Sequence, residues 1–167
     1  MEESVRPGTR DRVVRRVRRR RVGPHAMNAG EYERMYEVEE KHWWYLGLRE
    51  LLLHWLARLG PARLGSLDIL DAGCGTGMNL LTVAAAGHRV RGIDASPLAL
   101  ACARRRGQLR LTRARVERLP FPPRSFDLIY CLDVVYMLTR PVLDRALSGF
   151  QRTLKPGGHL ILHSATL

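Results

Sequence analysis

Cysteine is scarce in this sequence, and the three that occur are too far apart to suggest a shared site. Cys74, Cys102 and Cys131 form no CxxC pair, and their number is odd. A disulfide framework needs paired cysteines and a zinc site needs clustered ligands, so the sequence argues against both and predicts no metal site. Unpaired thiols are typical of a reducing compartment, and we therefore expect a cytoplasmic protein.

Long apolar runs are also missing. No stretch approaches the roughly 20 residues that a membrane-spanning helix requires, and the N-terminus lacks the apolar segment of a secretory signal. The composition is instead that of a globular protein, with 167 residues of which 46% are hydrophobic and 26% charged. A compact chain of this size buries about 70% of its unfolded surface, so one domain folds here without a disulfide or a metal.

The net charge of +12 is unevenly distributed along the chain. Residues 1–26 hold nine arginines against three acidic residues, so this short segment carries half of the excess positive charge. Its composition predicts a disordered basic tail. Two interpretations stay open: upstream or inert sequence, with Met27 rather than Met1 as the true start, or an arm that binds nucleic acid or a membrane surface. The remainder is only mildly basic, which disfavours a nucleic-acid partner for the domain itself.

The periodicity of the remaining chain predicts an α/β domain. Apolar residues recur at helical spacing between 27 and 60, with a break at 42–45, and we expect a helical cap there. From residue 61 onward, short apolar strands alternate with helix-length segments, which predicts a Rossmann-like, doubly wound parallel sheet of about five strands. The strands are predicted at residues 67–72, 88–94, 108–116, 126–132 and 159–165. The helices between them are predicted at residues 77–86, 97–107 and 141–154.

A glycine-rich turn, residues 71–77, follows the first predicted strand. Glycines permit a tight turn and a close ligand approach, and the next helix offers free N–H groups at its start. The dinucleotide fingerprint G-x-G-x-x-G would need a glycine where Met78 stands. Asp71 would repel a pyrophosphate but suits a cationic ligand without phosphate, such as S-adenosylmethionine. Asp94, at the predicted end of the second strand, suits a ribose. The alternative is a glycine-rich turn in an unrelated α/β fold.

Four blocks of the sequence, in this order, resemble class I S-adenosylmethionine-dependent methyltransferases of the ubiquinone-biosynthesis type. The blocks are residues 70–77, 92–96, 119–127 and 154–158. The resemblance covers residues 31–167 and includes the aromatic stretch ahead of the core. It implies a Rossmann-like methyltransferase domain at 27–167, in which a cap at 27–60 covers a cofactor-binding core at 61–167.

The resemblance also implies roles for single residues. The residues expected to hold the methionine part of S-adenosylmethionine are Asp71, Gly73, Cys74, Gly75 and Gly77. Asp94 is expected to bind the ribose, and Cys131 to line the methionyl side. The residues expected around the adenine are Ala95, Val116 and Glu117. Three aromatic residues of the cap either face the substrate or divide between core and lid: Trp43, Trp44 and Tyr45.

The sequence departs from the family pattern in three places. Arg115 stands where many relatives have an acid for the adenine amino group, so recognition there would depend on backbone groups. Met137 stands where relatives often have a histidine, which removes an obvious general base, and no catalytic residue is predicted. The family also continues with a helix and an antiparallel strand pair after the fifth strand, so we expect a C-terminally truncated core.

Three functions follow as hypotheses. The first is S-adenosylmethionine-dependent methyl transfer to a small-molecule acceptor by in-line attack on the sulfonium methyl group. The second is a truncated, catalytically inactive module with the cofactor fold, or a partner subunit. The third is a nucleic-acid-binding protein that acts through its arginine tail. Neither the acceptor nor the oligomeric state follows from the sequence.

Overall fold

The computed structural model describes residues 27–59 and 65–164. The predicted basic tail lies outside these residues. The helices of the described ranges are α1 (Ala29–Val38), α2 (Trp43–Leu59), α3 (Met78–Ala85), α4 (Pro97–Arg104) and α5 (Arg140–Thr153), with a short 3-10 helix at Val135–Met137. The strands are β1 (Asp68–Ala72), β2 (Arg89–Asp94), β3 (Leu111–Arg113), β4 (Phe126–Leu132) and β5 (Leu154–His163).

These strands form one parallel sheet in the order β3-β2-β1-β4-β5. Because side chains alternate along a strand, Ile69 and Tyr130 enter one core cluster, whereas Leu70 and Ile129 enter another. Residues of α2, α3 and α4 complete the first cluster, and residues of α5 complete the second. Helices therefore cover both faces, and the prediction of a Rossmann-like, doubly wound α/β sheet with a helical cap is confirmed.

Local sequence signals fix the starts of the helices. Asn28 and Glu31 form a reciprocal capping box at α1, in which each side chain accepts the other residue's backbone N–H. Ser96 caps α4, and Pro97 occupies the first helical position, as predicted. α3 begins after Gly77, whose φ is +85° and which brings no side chain to the exposed N–H groups of that helix.

Two predicted elements near the cap and the third strand need correction. The aromatic residues 43–45 do not lie in a break but form the first turn of α2. The chain turns earlier, between Glu39 and His42, where backbone N–H groups close back on Met35 and Val38. β3 has three residues rather than the predicted nine, because it pairs only with Gly92–Asp94 at the end of β2.

The start of the fifth strand also differs from the prediction. Residues 155–158 stand between the predicted helix 141–154 and the predicted strand 159–165, but in the structure they lie inside β5, which begins at Leu154. The pairing with β4 passes from Phe126–Leu154 directly to Leu128–His159, so residues 155–158 form a bulge. Pro156 fits there because a bulge frees it from donating a ladder hydrogen bond.

Two further observations concern the described ranges as a whole. No helix within them is long and apolar enough to cross a bilayer. Nor do they bring three or more histidine, cysteine, aspartate or glutamate side chains together as ligands for a metal ion.

Candidate functional site

The site lies at the carboxyl ends of β1, β2 and β4. The strand order reverses between β1 and β4, and ligands of open parallel sheets bind in the crevice at such a reversal. The glycine turn follows β1, Asp94 ends β2, and Asp133 follows β4. Three separate stretches of the chain therefore meet at one edge of the sheet.

The glycine turn needs its glycines for backbone conformation and for space. Gly73 and Gly75 have φ angles of +96° and +51°, in the left-handed region that side chains disfavour. A Cβ on Gly73 would lie 2.4 Å from Cγ2 of Val134, so this glycine lets the loop after β4 approach the turn. The N–H groups of Gly73 and Cys74 both donate to the carbonyl of Ile93 at 2.9 Å, which holds the turn against β2.

Asp94 is oriented by the backbone around it. Its Oδ2 accepts the N–H of Gly75 at 3.0 Å, and its Oδ1 accepts the N–H of Ser96 at 2.8 Å. Burial raises the pKa of this carboxyl, and the backbone N–H groups oppose the rise. Each carboxylate oxygen has a second lone pair, so the group can still accept two hydrogen bonds from a ligand.

Asp71 is a buried carboxyl without a complete set of partners. Its side chain is only slightly exposed, and Oδ2 makes no hydrogen bond within distance limits to any described residue. The nearby hydroxyl of Tyr130, which is also without a partner, is the one donor close enough to lower the pKa of this carboxyl. Burial raises its pKa well above the ordinary value, and the nearby carboxyls of Asp94 and Glu39 add to the effect. A buried acceptor in this state favours a cationic or hydrogen-bonding ligand, because an unsatisfied buried polar group is costly.

The cap closes directly over this turn. Cε of Met35, on α1, is 3.2 Å from the position that a Cβ on Gly75 would occupy. Tyr32, one helical turn earlier, lies beside Asp94: burial raises the pKa of its hydroxyl, and the charge of Asp94 raises it further. Two side chains of α1 therefore lie next to the glycine turn and Asp94.

One arginine anchors the cap to the turn, and sequence reasoning missed it. The Arg106 side chain is 3% exposed. It donates to Oε1 of Glu39 at 2.5 Å and to the carbonyls of Thr76 and Tyr36, each at 2.9 Å. Thr76 also donates its hydroxyl to Glu39. No sequence signal separates Arg106 from its neighbours Arg104 and Arg105, because only the fold shows which of them is buried.

The three cap aromatics are placed differently from one another. Trp43 is 72% exposed. The indole Nε1–H of Trp44 donates to Oδ2 of Asp133 at 3.2 Å. Tyr45 is half-buried near Asp133 and Tyr136, and burial raises the pKa of its hydroxyl. The structure therefore turns two of the predicted aromatics, Trp44 and Tyr45, towards the end of β4.

The remaining predicted cofactor residues lie further into the core or towards α5. Cys74, Val116 and Cys131 are buried, and burial raises the pKa of the Cys131 thiol to about 12. Burial would raise the pKa of Glu117 as well, but its 2.6 Å contact with Arg115 lowers it overall. Glu117 lines a cavity of about 680 Å³ against α5. Ala95 follows Asp94 directly at the end of β2.

Residues 69–158 match the family model described as a methyltransferase domain. Over 101 residues the chain is 41% identical to the demethylmenaquinone methyltransferase of Tropheryma whipplei, an alignment that covers 57% of this chain and 40% of that protein. It is 27% identical over 159 residues to the mitochondrial ubiquinone biosynthesis O-methyltransferase of Schizosaccharomyces pombe, covering 83% of this chain and 56% of that one. The chain thus spans about half the length of these curated relatives.

The fold has counterparts among solved structures. A crystal structure of a protein from Methanococcus maripaludis superimposes with a TM-score of 0.70, covering 83% of this chain and 66% of that chain. The two sequences are 17% identical, so this likeness concerns the fold alone. It agrees with the parallel α/β sheet described above.

Proposed function

Because the chain belongs to the family of S-adenosylmethionine-dependent methyltransferases, we propose that it binds this cofactor and transfers its methyl group to a small-molecule acceptor. The observation that carries the proposal is the Asp94 carboxylate, which two backbone N–H groups hold at 2.8 and 3.0 Å beside the glycine turn. This is the arrangement that a ribose with two hydroxyl groups requires.

The donor and acceptor groups of the site fit the cofactor. S-adenosylmethionine has a sulfonium and an ammonium group and no phosphate, and Asp71 offers it a buried carboxyl oxygen that makes no hydrogen bond to any described residue. Gly73, Gly75 and Gly77 keep side chains out of the turn, so a ligand can approach the backbone there. We assign the methionine moiety to this turn, with Cys74 and Cys131 packed beneath it, and the ribose to Asp94.

In this proposal the protein contributes position and the exclusion of water. The bound cofactor supplies an activated methyl group, and the turn and Asp94 fix its orientation. Met35 of α1 lies over Gly75 and Tyr32 lies beside Asp94, so the cap would shield the bound cofactor from water on the side of its ribose. We place the adenine beside Ala95, with Val116 and Glu117 behind it.

The acceptor that we propose is a small molecule with a hydroxylated ring. Trp44 and Tyr45 support this choice, because both lie at the end of β4 and an aromatic wall suits a flat ring. The names of the two curated relatives also refer to quinones. We propose a cytoplasmic setting on the strength of three buried free thiols.

Isothermal titration calorimetry with S-adenosylmethionine and the full chain tests the cofactor assignment. We expect binding by the unaltered protein. Asp94→Ala should weaken it about 10- to 150-fold, the equivalent of losing about 1.5–3 kcal/mol of charge-assisted hydrogen bonding. Asp144→Ala is the matched control, because that aspartate lies on α5 with 57% of its side chain exposed. Absence of binding, or equal binding by both variants, would refute the proposal.

A further inference from the structure

His163 and Asp133 form a close pair at the carboxyl ends of β5 and β4. Nδ1 of His163 lies 2.9 Å from Oδ1 of Asp133. The backbone N–H of Asp133 also donates to the carbonyl of His163 at 3.0 Å. Backbone and side chain therefore hold the two residues in the same register, which fixes the imidazole relative to the sheet.

Trp44 completes the arrangement from the cap. Its indole N–H donates to the second oxygen of Asp133 at 3.2 Å, and its ring meets the edge of the imidazole with 5.8 Å between the centroids. Both carboxylate oxygens are thus engaged by donors. A carboxylate accepts hydrogen bonds, so in the neutral imidazole the proton is on Nδ1 and Nε2 carries the lone pair. Among the described residues, Nε2 has no hydrogen-bond partner.

The backbone at Asp133 is left-handed. Its φ is +55°, a region that aspartate enters more readily than most residues other than glycine. The next residue, Val134, packs against Gly73 of the cofactor turn. The chain therefore turns at Asp133 where β4 ends beside the glycine turn.

The position of the pair relates it to the acceptor. With the ribose assigned to Asp94 on β2, the methionine moiety extends across the turn towards β4, and the transferable methyl group with it. Asp133, His163 and Trp44 lie on that side. Tyr45 of α2 brings a phenol to this side of the site, and the titratable groups that act on its hydroxyl are Glu39, Asp133 and Tyr136.

We propose that His163 is a catalytic residue that takes the proton from the acceptor hydroxyl, with Asp133 and Trp44 as positioning residues; this rests on the proposed function. The acceptor oxygen forms a bond to the methyl carbon while the carbon–sulfur bond breaks and leaves its electron pair on sulfur. The hydroxyl proton passes to Nε2 of His163. The resulting imidazolium is stabilised by Asp133, and water removes the proton afterwards.

The first test needs no acceptor. The nitrogen NMR spectrum of the full chain should show the neutral imidazole of His163 as the Nδ1–H tautomer. Asp133→Asn should lower the population of that tautomer and shift the Trp44 indole N–H signal, because both lose their carboxylate. A His163 that is mainly the Nε2–H tautomer would refute the proposal, since that nitrogen could not accept a proton.

The second test separates acceptors that need a base from those that do not. Phenols keep their proton near neutral pH, whereas 4-nitrothiophenol has already lost it. With catechol as acceptor, His163→Gln should lower kcat about 10²- to 10⁴-fold and remove the acidic limb of the pH profile. With 4-nitrothiophenol it should change kcat by less than about threefold. His54→Gln is the control, since that histidine is on the exposed side of α2.

Each outcome bears on the proposal. Equal losses of kcat with both acceptors would show that His163 has only a structural role and would refute the proposal. An unchanged pH profile in His163→Gln would refute it as well. Failure of the unaltered protein to methylate catechol or other hydroxylated rings, with cofactor binding intact, would refute the hydroxyl acceptor and the base together. Failure to bind S-adenosylmethionine would instead refute the proposed function, and the tautomer of His163 would still be measured.

Discussion

The buried contact between Arg106 and Glu39 should dominate the stability of the cap. Both side chains are at most 5% exposed, and the guanidinium also supports the carbonyls of Thr76 and Tyr36. Arg106→Met keeps the aliphatic volume but removes every one of these donors. Loss of one partner of a buried ion pair costs about 3–5 kcal/mol, because the other is left uncompensated. We expect a fall of more than about 1 M in the urea midpoint.

The stability that Arg106→Met loses should depend on pH, and this dependence identifies the cause of the loss. Burial raises the pKa of Glu39 even with Arg106 in place, and the arginine opposes that rise. Without it the pKa rises further, so the folded state binds a proton more tightly than the unfolded state. The stability that this proton binding contributes is present at low pH and is lost as the pH rises through the folded-state pKa of Glu39. The deficit of Arg106→Met should therefore be smaller at about pH 5 than at about pH 8.

The neighbouring arginine provides the control. Arg105 contacts both oxygens of Glu33 at 2.7 Å, but both side chains are about half exposed, so Arg105→Met should change the urea midpoint little. Urea unfolding followed by circular dichroism at the two pH values measures all three proteins. Equal deficits for the two variants, or a deficit of Arg106→Met that does not change with pH, would refute the reasoning.

Two further predictions concern stability alone. Gly92→Ala would place a Cβ 2.2 Å from Cδ1 of the buried Leu80 and 2.9 Å from Sγ of Cys74, so thermal unfolding should report a loss of about 1–3 kcal/mol. A Cβ on Gly47, in α2, would meet no atom within 4 Å, so Gly47→Ala should raise the free energy of unfolding by about 0.5–1 kcal/mol. A higher free energy of unfolding in both variants would contradict the packing argument. The contact with Arg89 holds the pKa of Asp68 at about 2, below its ordinary value, so its contribution to stability is present above about pH 4 and lost as the pH falls towards 2. Asp68→Asn should therefore make the free energy of unfolding less dependent on pH in that window. A pH dependence that does not change in the variant would contradict this assignment.

The sequence predicted the cofactor side of the crevice well because its signals are local. The range of β4 was predicted without error, and those of β1 and β2 within one residue, because buried parallel strands are short apolar runs. The glycine turn follows β1 in the same stretch of chain, and Asp94 ends the next strand. The roles given to these residues remain predictions, but their proximity in the fold is as expected.

The errors in β3 and β5 have a common origin in pairing partners that are distant in sequence. β3 is short because only the end of β2 is available to it, and the bulge in β5 depends on its register against β4. Neither partner can be identified from the strand's own residues.

The two halves of the site therefore differ in how their residues are encoded. Asp71, the glycines and Asp94 occur within 24 consecutive residues, so one motif can indicate the whole cofactor half. Trp44, Asp133 and His163 come from α2, the end of β4 and the end of β5. The first two are 89 positions apart in the sequence and the last two are 30 positions apart. Each of them is individually unremarkable in its own segment. The absence of a histidine at Met137 indicated that a base was missing, whereas the parallel pairing of β4 with β5 brings His163 to Asp133 from the neighbouring strand.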